Sequence, residues 1–251
     1  MDYLLHKSDT GILTFTINRV NKRNAINYEV MSGFKRAIDQ TRLDEEVKAL
    51  VITGAGNHAF CSGGDLSEFH GLKTEEQAWG MLNKMGGLLY ELATLPKPTI
   101  AWINGIAIGG GCEIATACDY RISKKAVKMG FVQGNLAITT GWGGASLLYE
   151  RILPSHAMRL LMTADLYDVE ELYQMKFIDH LISDDGSEVD DYLHSITTKS
   201  IQVIKAYKQA LLNKWNSTKL HENMMKEIRS CAILWAKVEH HEAVKRFLNK
   251  K

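Results

Sequence analysis

A charge imbalance is the first thing this sequence lacks. Thirty basic residues stand against 29 acidic ones in 251, a net charge of +1. That balance leaves no electrostatic footprint for a nucleic acid or an anionic membrane, and neither partner is expected. Long apolar runs are missing too: none approaches the ~18 residues that span a bilayer. The opening MDYLLHKSDTG has no basic stretch leading into a long apolar core, so no secretory signal is expected and the cytoplasm is the expected location. Cysteine is sparse. Cys61, Cys112, Cys118 and Cys231 form no CxxC pair and no zinc-type spacing, which reads as reduced thiols serving as small core residues.

Several catalytic signatures are absent as well. Gly54-Ala55-Gly56 is followed by Asn57, His58 and Ala59, without the third glycine of a dinucleotide fingerprint, and no glycine run leads into GKS or GKT. His240-His241-Glu242 lacks HExxH spacing and has no partner cluster, so no metal is expected. No GxSxG elbow occurs. Ser62 and Cys61 have only His58 nearby as a base, which is a poor basis for a covalent mechanism.

What is present is the composition of an ordinary globular chain, 45% hydrophobic and 24% charged, long enough for one large domain or a domain with an appendage. Gly11–Asn18 alternates apolar and polar residues as a half-buried strand does, and Ala49–Thr53 (ALVIT) is a compact buried strand. Further strands are expected at Thr99–Asn104, Tyr120–Ser123 and Phe177–Ile182. Helices are expected at Asn27–Arg42, Thr74–Thr94, Cys112–Asp119, Ala145–Leu153, Ser155–Ala164 and Asp168–Met175. Thr74 and Gln77 have capping-box spacing, and Pro96-Lys97-Pro98 stops that helix. His58–Phe69 reads as a loop. The alternation of strands and helices is that of an α/β domain.

Character changes after Ser183–Ser187. From Glu188 onward neither proline nor glycine occurs, and helical stripes take over: Ile201, Ile204, Tyr207, Ala210, Leu211, then Leu220, Met224, Ile228, Cys231, Trp235, Val238. Residues 1–190 therefore read as an α/β core and 191–251 as a helical region. The tail has more apolar positions than one packed face needs, which suggests a second surface against a neighbouring subunit.

Two glycine-rich turns stand out, Ser62-Gly63-Gly64-Asp65 and Gly109-Gly110-Gly111, each after a buried strand. Two such turns can aim one N–H each at a single carbonyl oxygen, which is how a backbone oxyanion hole stabilises a thioester enolate. Glu113 follows the second turn at a helix start, placed to act as an acid or base.

Four segments in order carry a resemblance: RVNKRNA (Arg19–Ala25), AFCSGGDL (Ala59–Leu66), NGIAIGGGCE (Asn104–Glu113) with Ala117-Cys118-Asp119, and GWGG (Gly141–Gly144). With these the chain resembles the crotonase (enoyl-CoA hydratase/isomerase) superfamily over essentially its whole length. The resemblance implies a spiral of ββα units, with the C-terminal helices used to form trimers or hexamers. It implies an acyl-CoA thioester as substrate, with coenzyme A entering only as part of that substrate and no separate cofactor. By motif position the oxyanion donors would be the N–H groups of Gly64 and Gly110. Gly63, Asp65 and Leu66 would lie along the CoA, and Arg23 and Ala25 near its entrance. Leu72, Trp79, Leu136 and Trp142 would line the acyl pocket.

Glu113 falls where the family's hydratases keep one of two catalytic glutamates. The second position falls on Gln133, an amide that hydrogen-bonds but exchanges no proton at neutral pH. The segment Phe131-Val132 to Trp142-Gly143-Gly144 is also similar to methylmalonyl- and ethylmalonyl-CoA decarboxylases, which likewise lack that second glutamate. A hydratase or isomerase working with one glutamate, a decarboxylase, and a non-catalytic acyl-CoA- or RNA-binding homologue all stay open on sequence.

Overall fold

The computed structural model describes residues 1–183, 186 and 188–249, so part of the compositional break at Ser183–Ser187, and the last two residues, lie outside the described residues. Strands β1 (Tyr3–Lys7) and β2 (Ile12–Ile17) form an antiparallel hairpin. Leu13, Phe15 and Ile17 of β2 point into the core, as the alternation requires. Helix α1 (Tyr28–Leu43) begins at Asn27, whose side chain accepts from the N–H of Val30, and leads into β3 (Ala49–Gly54).

Three turns of one pattern follow. Each lays a strand in a large sheet, a short strand in a small sheet, and a helix across them. The first is β3, β4 (Ala59–Cys61), a short α2 (Leu66–Phe69) and α3 (Glu75–Ala93). The second is β5 (Thr99–Ile103), β6 (Ile106–Ile108) and α4 (Gly110–Ala117). The third is β7 (Tyr120–Lys124), β8 (Lys128–Gly130), a 3-10 turn at Val132–Leu136, and α5 (Gly144–Arg151). Then come α6 (Pro154–Thr163), β9 (Tyr167–Asp168), α7 (Val169–Gln174) and β10 (His180–Ile182). The large sheet has the order β1-β2-β3-β5-β7-β10, parallel except at β1, and the small one β4-β6-β8-β9, parallel except at β9. This is the expected ββα spiral.

Two expectations need correction here. The stretch His58–Phe69 is not a plain loop: β4 and α2 lie inside it, because three residues suffice to pair with β6 and are too few to show a periodicity. The helix expected at Cys112–Asp119 starts two residues earlier, so Gly110 is its first residue. The capping box at Thr74 and Gln77 is present as read, and it starts α3.

The C-terminal region is helical: α8 (Val189–Thr197), α9 (Ile201–Ser217), α10 (Leu220–Trp235) and α11 (Val238–Leu248). Leu220, Met224, Ile228, Cys231 and Trp235 of α10 are buried, as their stripe predicts, whereas Val238 faces outward. The α9 stripe is wrong in phase. Tyr207 is 76% exposed and Lys208 takes the inward position instead, its ammonium on the carboxylate of Asp119. A long aliphatic stem lets a lysine occupy an inward position when its charge finds a partner. Asp119 also accepts from both the N–H and the hydroxyl of Thr99 and pairs with Arg151, whose guanidinium lies 4.8 Å over the Trp215 ring. Thus α9 is held to the core by an ionic group as well as by apolar contact. The four cysteines are free and buried.

Candidate active site

The site grows from two asparagine clamps. Asn104, at the β5–β6 corner, donates to the carbonyls of Gly54 and Gly56 at 2.7 and 2.6 Å and accepts from the N–H of Gly54. Asn24 donates to the carbonyls of Ala55 and Ala59. Buried side-chain amides that satisfy several backbone groups at once fix the loop paths between strands. Both glycine turns inherit that rigidity.

Gly64 bridges Ile26 in parallel fashion: Ile26 donates to the carbonyl of Gly63 and accepts from the N–H of Asp65, both at 2.8 Å. In such a bridge the N–H of the middle residue turns away from its partner strand. Gly110 is the first residue of α4, so its N–H has no acceptor within the helix. The two turns pack on each other, since a Cβ at Gly63 would lie 3.2 Å from the Gly110 nitrogen. Gly109 has φ +56°, and a Cβ at Gly110 would overlap the six-membered ring of Trp142. That ring also reaches Gly64, whose Cβ would stand 3.6 Å from Cζ2. Trp142 therefore covers both turns, and the expected acyl-pocket residue is itself buried at 4% exposure.

One turn along α4, Glu113 is 2% exposed and surrounded by donors. Its Oε1 accepts from the N–H groups of Trp142 and Gly144 at 2.8 and 3.0 Å. Its Oε2 accepts from Gln133 Nε2 at 2.9 Å and from the N–H of Gly141 at 3.4 Å. Burial pushes the carboxyl up, the negative charge of Glu227 pushes the same way, and the three backbone N–H groups oppose; the net result is a pKa of about 8. The expected catalytic pair Glu113 and Gln133 is thus brought into direct contact. The other oxygen of that amide, Gln133 Oε1, is buried without a hydrogen-bond partner.

The remaining residues divide. Arg23 is exposed, and its carbonyl accepts from the N–H of Ser62, so the entrance loop lies beside the first glycine turn. Ala25 is buried and its carbonyl accepts from Arg19. Asp65 is not a free side chain: it caps α2, accepts from the N–H and hydroxyl of Ser67, and pairs with Arg19 at 2.8 Å. Burial opposes its ionisation, but Ser67 and Arg19 together hold its pKa below the usual value. Gly63 and Leu66 flank it, with Leu66 partly exposed. The C-terminal helices hold two of the other pocket residues by their carbonyls, Leu72 through Trp235 Nε1 and Leu136 through His240 Nδ1, and Arg229 lies over Trp79.

Two residues escaped the sequence reading. Arg19 ties Asp2, Ala25 and Asp65 together. Glu227 of α10 is half-buried and accepts from the hydroxyl of Thr140, the N–H groups of Ala145 and Ser146, and the hydroxyl of Ser146. A signal for Glu227 did exist: it sits three residues after Met224 and four before Cys231, a charge on the apolar face of α10.

Two packed glycine turns, a tryptophan across them and a buried carboxyl of raised pKa thus meet in one place. Among the described residues no cluster suited to a metal ion is present, and no helix is long and apolar enough to cross a membrane. The enoyl-CoA hydratase/isomerase family model matches residues 7–251, and the chain belongs to that family. The crotonyl-CoA hydratase of Syntrophomonas wolfei is 31% identical over 99% of this chain and 95% of its own length. The ethylmalonyl-CoA decarboxylase of Xenopus tropicalis is 28% identical over 96% of this chain and 81% of its own. In fold, the chain superposes on an enoyl-CoA hydratase of Bacillus halodurans with a TM-score of 0.89, at 21% identity, covering 98% of this chain and all of that one. The chain spans about half the length of the mouse mitochondrial methylglutaconyl-CoA hydratase it also matches.

Proposed function

We propose that the protein converts an acyl-CoA thioester through an enolate. The thioester oxygen is held by the N–H groups of Gly64 and Gly110, and Glu113 is the single side chain that moves a proton at the α-carbon. The observation that carries this reading is Glu113 itself: a buried carboxyl, raised to a pKa of about 8, one helical turn from the Gly110 N–H. A carboxyl so tuned enters turnover protonated at neutral pH, as an acid rather than a base.

That state favours one reaction within the class. Hydration needs a base to take a proton from water, and neither a protonated Glu113 nor the amide Gln133 supplies one. Decarboxylation of a malonyl-CoA-type thioester needs none. Loss of CO₂ leaves the electron pair on the enolate, the N–H pair stabilises it, and Glu113 delivers its proton to the α-carbon and regains one from water. A neutral Glu113 also removes the repulsion that an ionised carboxylate would exert on the substrate's own carboxylate. The decarboxylase relative is consistent with this chemistry, and the hydratase relative keeps hydration as the reading to test against it.

The test is direct. Pure protein is given crotonyl-CoA, with loss of the enoyl absorbance followed, and methylmalonyl- or ethylmalonyl-CoA, with CO₂ release followed. Faster decarboxylation is expected; rapid hydration with no CO₂ release would replace that reaction, and failure of every CoA thioester to bind would remove the whole reading. The proposal includes assembly as a trimer or a dimer of trimers, checked by light scattering. Exposed apolar side chains such as Leu153 and Met162 are candidates for that contact.

A further inference from the structure

Glu113 and Glu227, 114 positions apart in the chain, come to the same place, the N-terminus of α5. Glu113 takes the N–H groups of Gly141, Trp142 and Gly144; Glu227 takes the next two, of Ala145 and Ser146. A helix start stabilises negative charge, but a buried and a half-buried carboxylate on adjacent donors repel, and like charges sharing a site do not both ionise readily.

Their surroundings are not equivalent. Each contact made to Glu227 comes from a backbone N–H or a hydroxyl: Thr140 Oγ1 at 2.5 Å, Ser146 Oγ at 2.6 Å and the two N–H groups. The hydroxyl of Thr140 already accepts from the N–H of Ala145 at 3.2 Å, so it donates toward Glu227. Burial pushes the Glu227 carboxyl up, as it does Glu113, and these hydroxyl and N–H donors oppose it, a shell that suits an anion. Glu113 differs in one partner, the Gln133 amide, which has an acceptor end as well as a donor end. With Nε2 toward Glu113, Oε1 is left buried and unpaired. Half a turn of the amide puts Oε1 against Glu113 Oε2, where a carboxyl O–H donates to it, and moves the unpaired end to Nε2, so the amide can serve either state of Glu113.

We propose that Glu113 and Glu227 share a single proton, placed on Glu113 by two positioning residues: Gln133, which accepts it, and Glu227, which stays ionised on the helix start. The inference rests on the reading of Glu113 as the acid, and it gives that reading a cause. Gln133 is then no weakened relic of a second glutamate. An amide there accepts the proton of Glu113 without adding another group that titrates. Among the described residues, the other titratable groups that feel Glu113 are thiols: Cys112 of α4 itself and Cys231 of α10. Burial pushes both up, so they stay neutral and leave Glu227 as the charge that matters.

The experiment titrates the carboxyls of the free protein, independently of turnover. Full-length protein labelled with ¹³C at glutamate side chains is followed by NMR from pH 5 to 10, with Glu113→Gln assigning the Glu113 signal. A signal for Glu113 that stays protonated to near pH 8 is expected. In Glu227→Gln its midpoint should fall by about one pH unit or more, the scale of a close like charge. Ser146→Ala, a milder change that weakens the anion shell of Glu227, should move it the same way by less. Gln133→Leu removes the acceptor and should lower it too. The alkaline limb of kcat against pH should move with the midpoint in each variant. A Glu113 found ionised at pH 7, a late-titrating signal that belongs to Glu227, or a midpoint unmoved in both Glu227→Gln and Ser146→Ala would overturn the proposal. If the titrations come out as expected while no CoA thioester is converted, the pair stands and the proposed reaction falls.

Discussion

The indole of Trp142 lies against the Cα of Gly110 so closely that a methyl group at residue 110 would occupy the same space as the ring. One residue of the GWGG segment thereby fixes the identity of a residue 32 positions earlier, and with it the path of the second glycine turn. The backbone N–H of the same tryptophan holds Glu113. The second glycine turn and the buried carboxyl are set by a single residue.

This contact makes Gly110→Ala a coupled change. Alone it should destabilise the fold by about 1–3 kcal/mol, as overpacking does, and lower thioester turnover by about 10²–10³-fold, as loss of one oxyanion donor does. In a Trp142→Ala background the stability cost of Gly110→Ala should nearly vanish, while turnover should not return. A double-mutant cycle from urea unfolding measures the coupling. Additive costs would show that ring and turn are independent.

The raised pKa of Glu113 has a consequence for stability with a definite sign. Between the ordinary value of 4.5 and the folded value of about 8, the native state keeps a proton that the unfolded chain has released. Stability from this group is therefore complete below about pH 4.5 and is lost as pH rises through 8, by several kcal/mol in all at about 1.4 kcal/mol per unit. Urea midpoints between pH 5 and 9 should fall for the native protein and fall less for Glu113→Gln. Equal slopes would place the proton elsewhere.

Asp119 and Lys208 are unequal partners, although they form one ion pair. Asp119 faces both Lys208 and Arg151 and is further satisfied by Thr99. Asp119→Asn leaves two buried cations without a counter-charge and should cost about 3–5 kcal/mol. Lys208→Met keeps the stem, leaves Arg151 on Asp119, and should cost about 1 kcal/mol or less. Unfolding of the two variants separates them; equal losses would mean that Lys208 alone holds α9 in place.

Much of this architecture was legible from local pattern. Phe15 and its alternating neighbours marked β2, Thr74 and Gln77 marked the start of α3, and the two glycine stretches marked turns that pack on each other. The hidden parts depend on partners distant in sequence. Strand β4 is three residues long and exists because β6 lies beside it. Lys208 turns inward because Asp119 waits 89 residues away, a pairing that no helical period records. Glu227 reaches Glu113 only through the N-terminus of α5, so its role is invisible until α10 is docked. Motif position singled out Gln133, which does lie against Glu113. Its hydrogen bond to Glu113, and the oxygen left over, needed the fold.

The central claim is that Glu113 moves a proton at the α-carbon of a thioester held as its enolate. It is tested most directly with butyryl-CoA in D₂O, following deuterium uptake at the α-carbon by mass spectrometry. This substrate has no carboxylate to lose and no double bond to hydrate, so exchange reports proton transfer alone. The account predicts uptake that grows as pH rises through about 8, where Glu113 becomes a base, and that falls by about 10²–10⁴-fold in Glu113→Gln. Exchange at the native rate in Glu113→Gln, or none in the native protein at pH 9 despite binding, would contradict it.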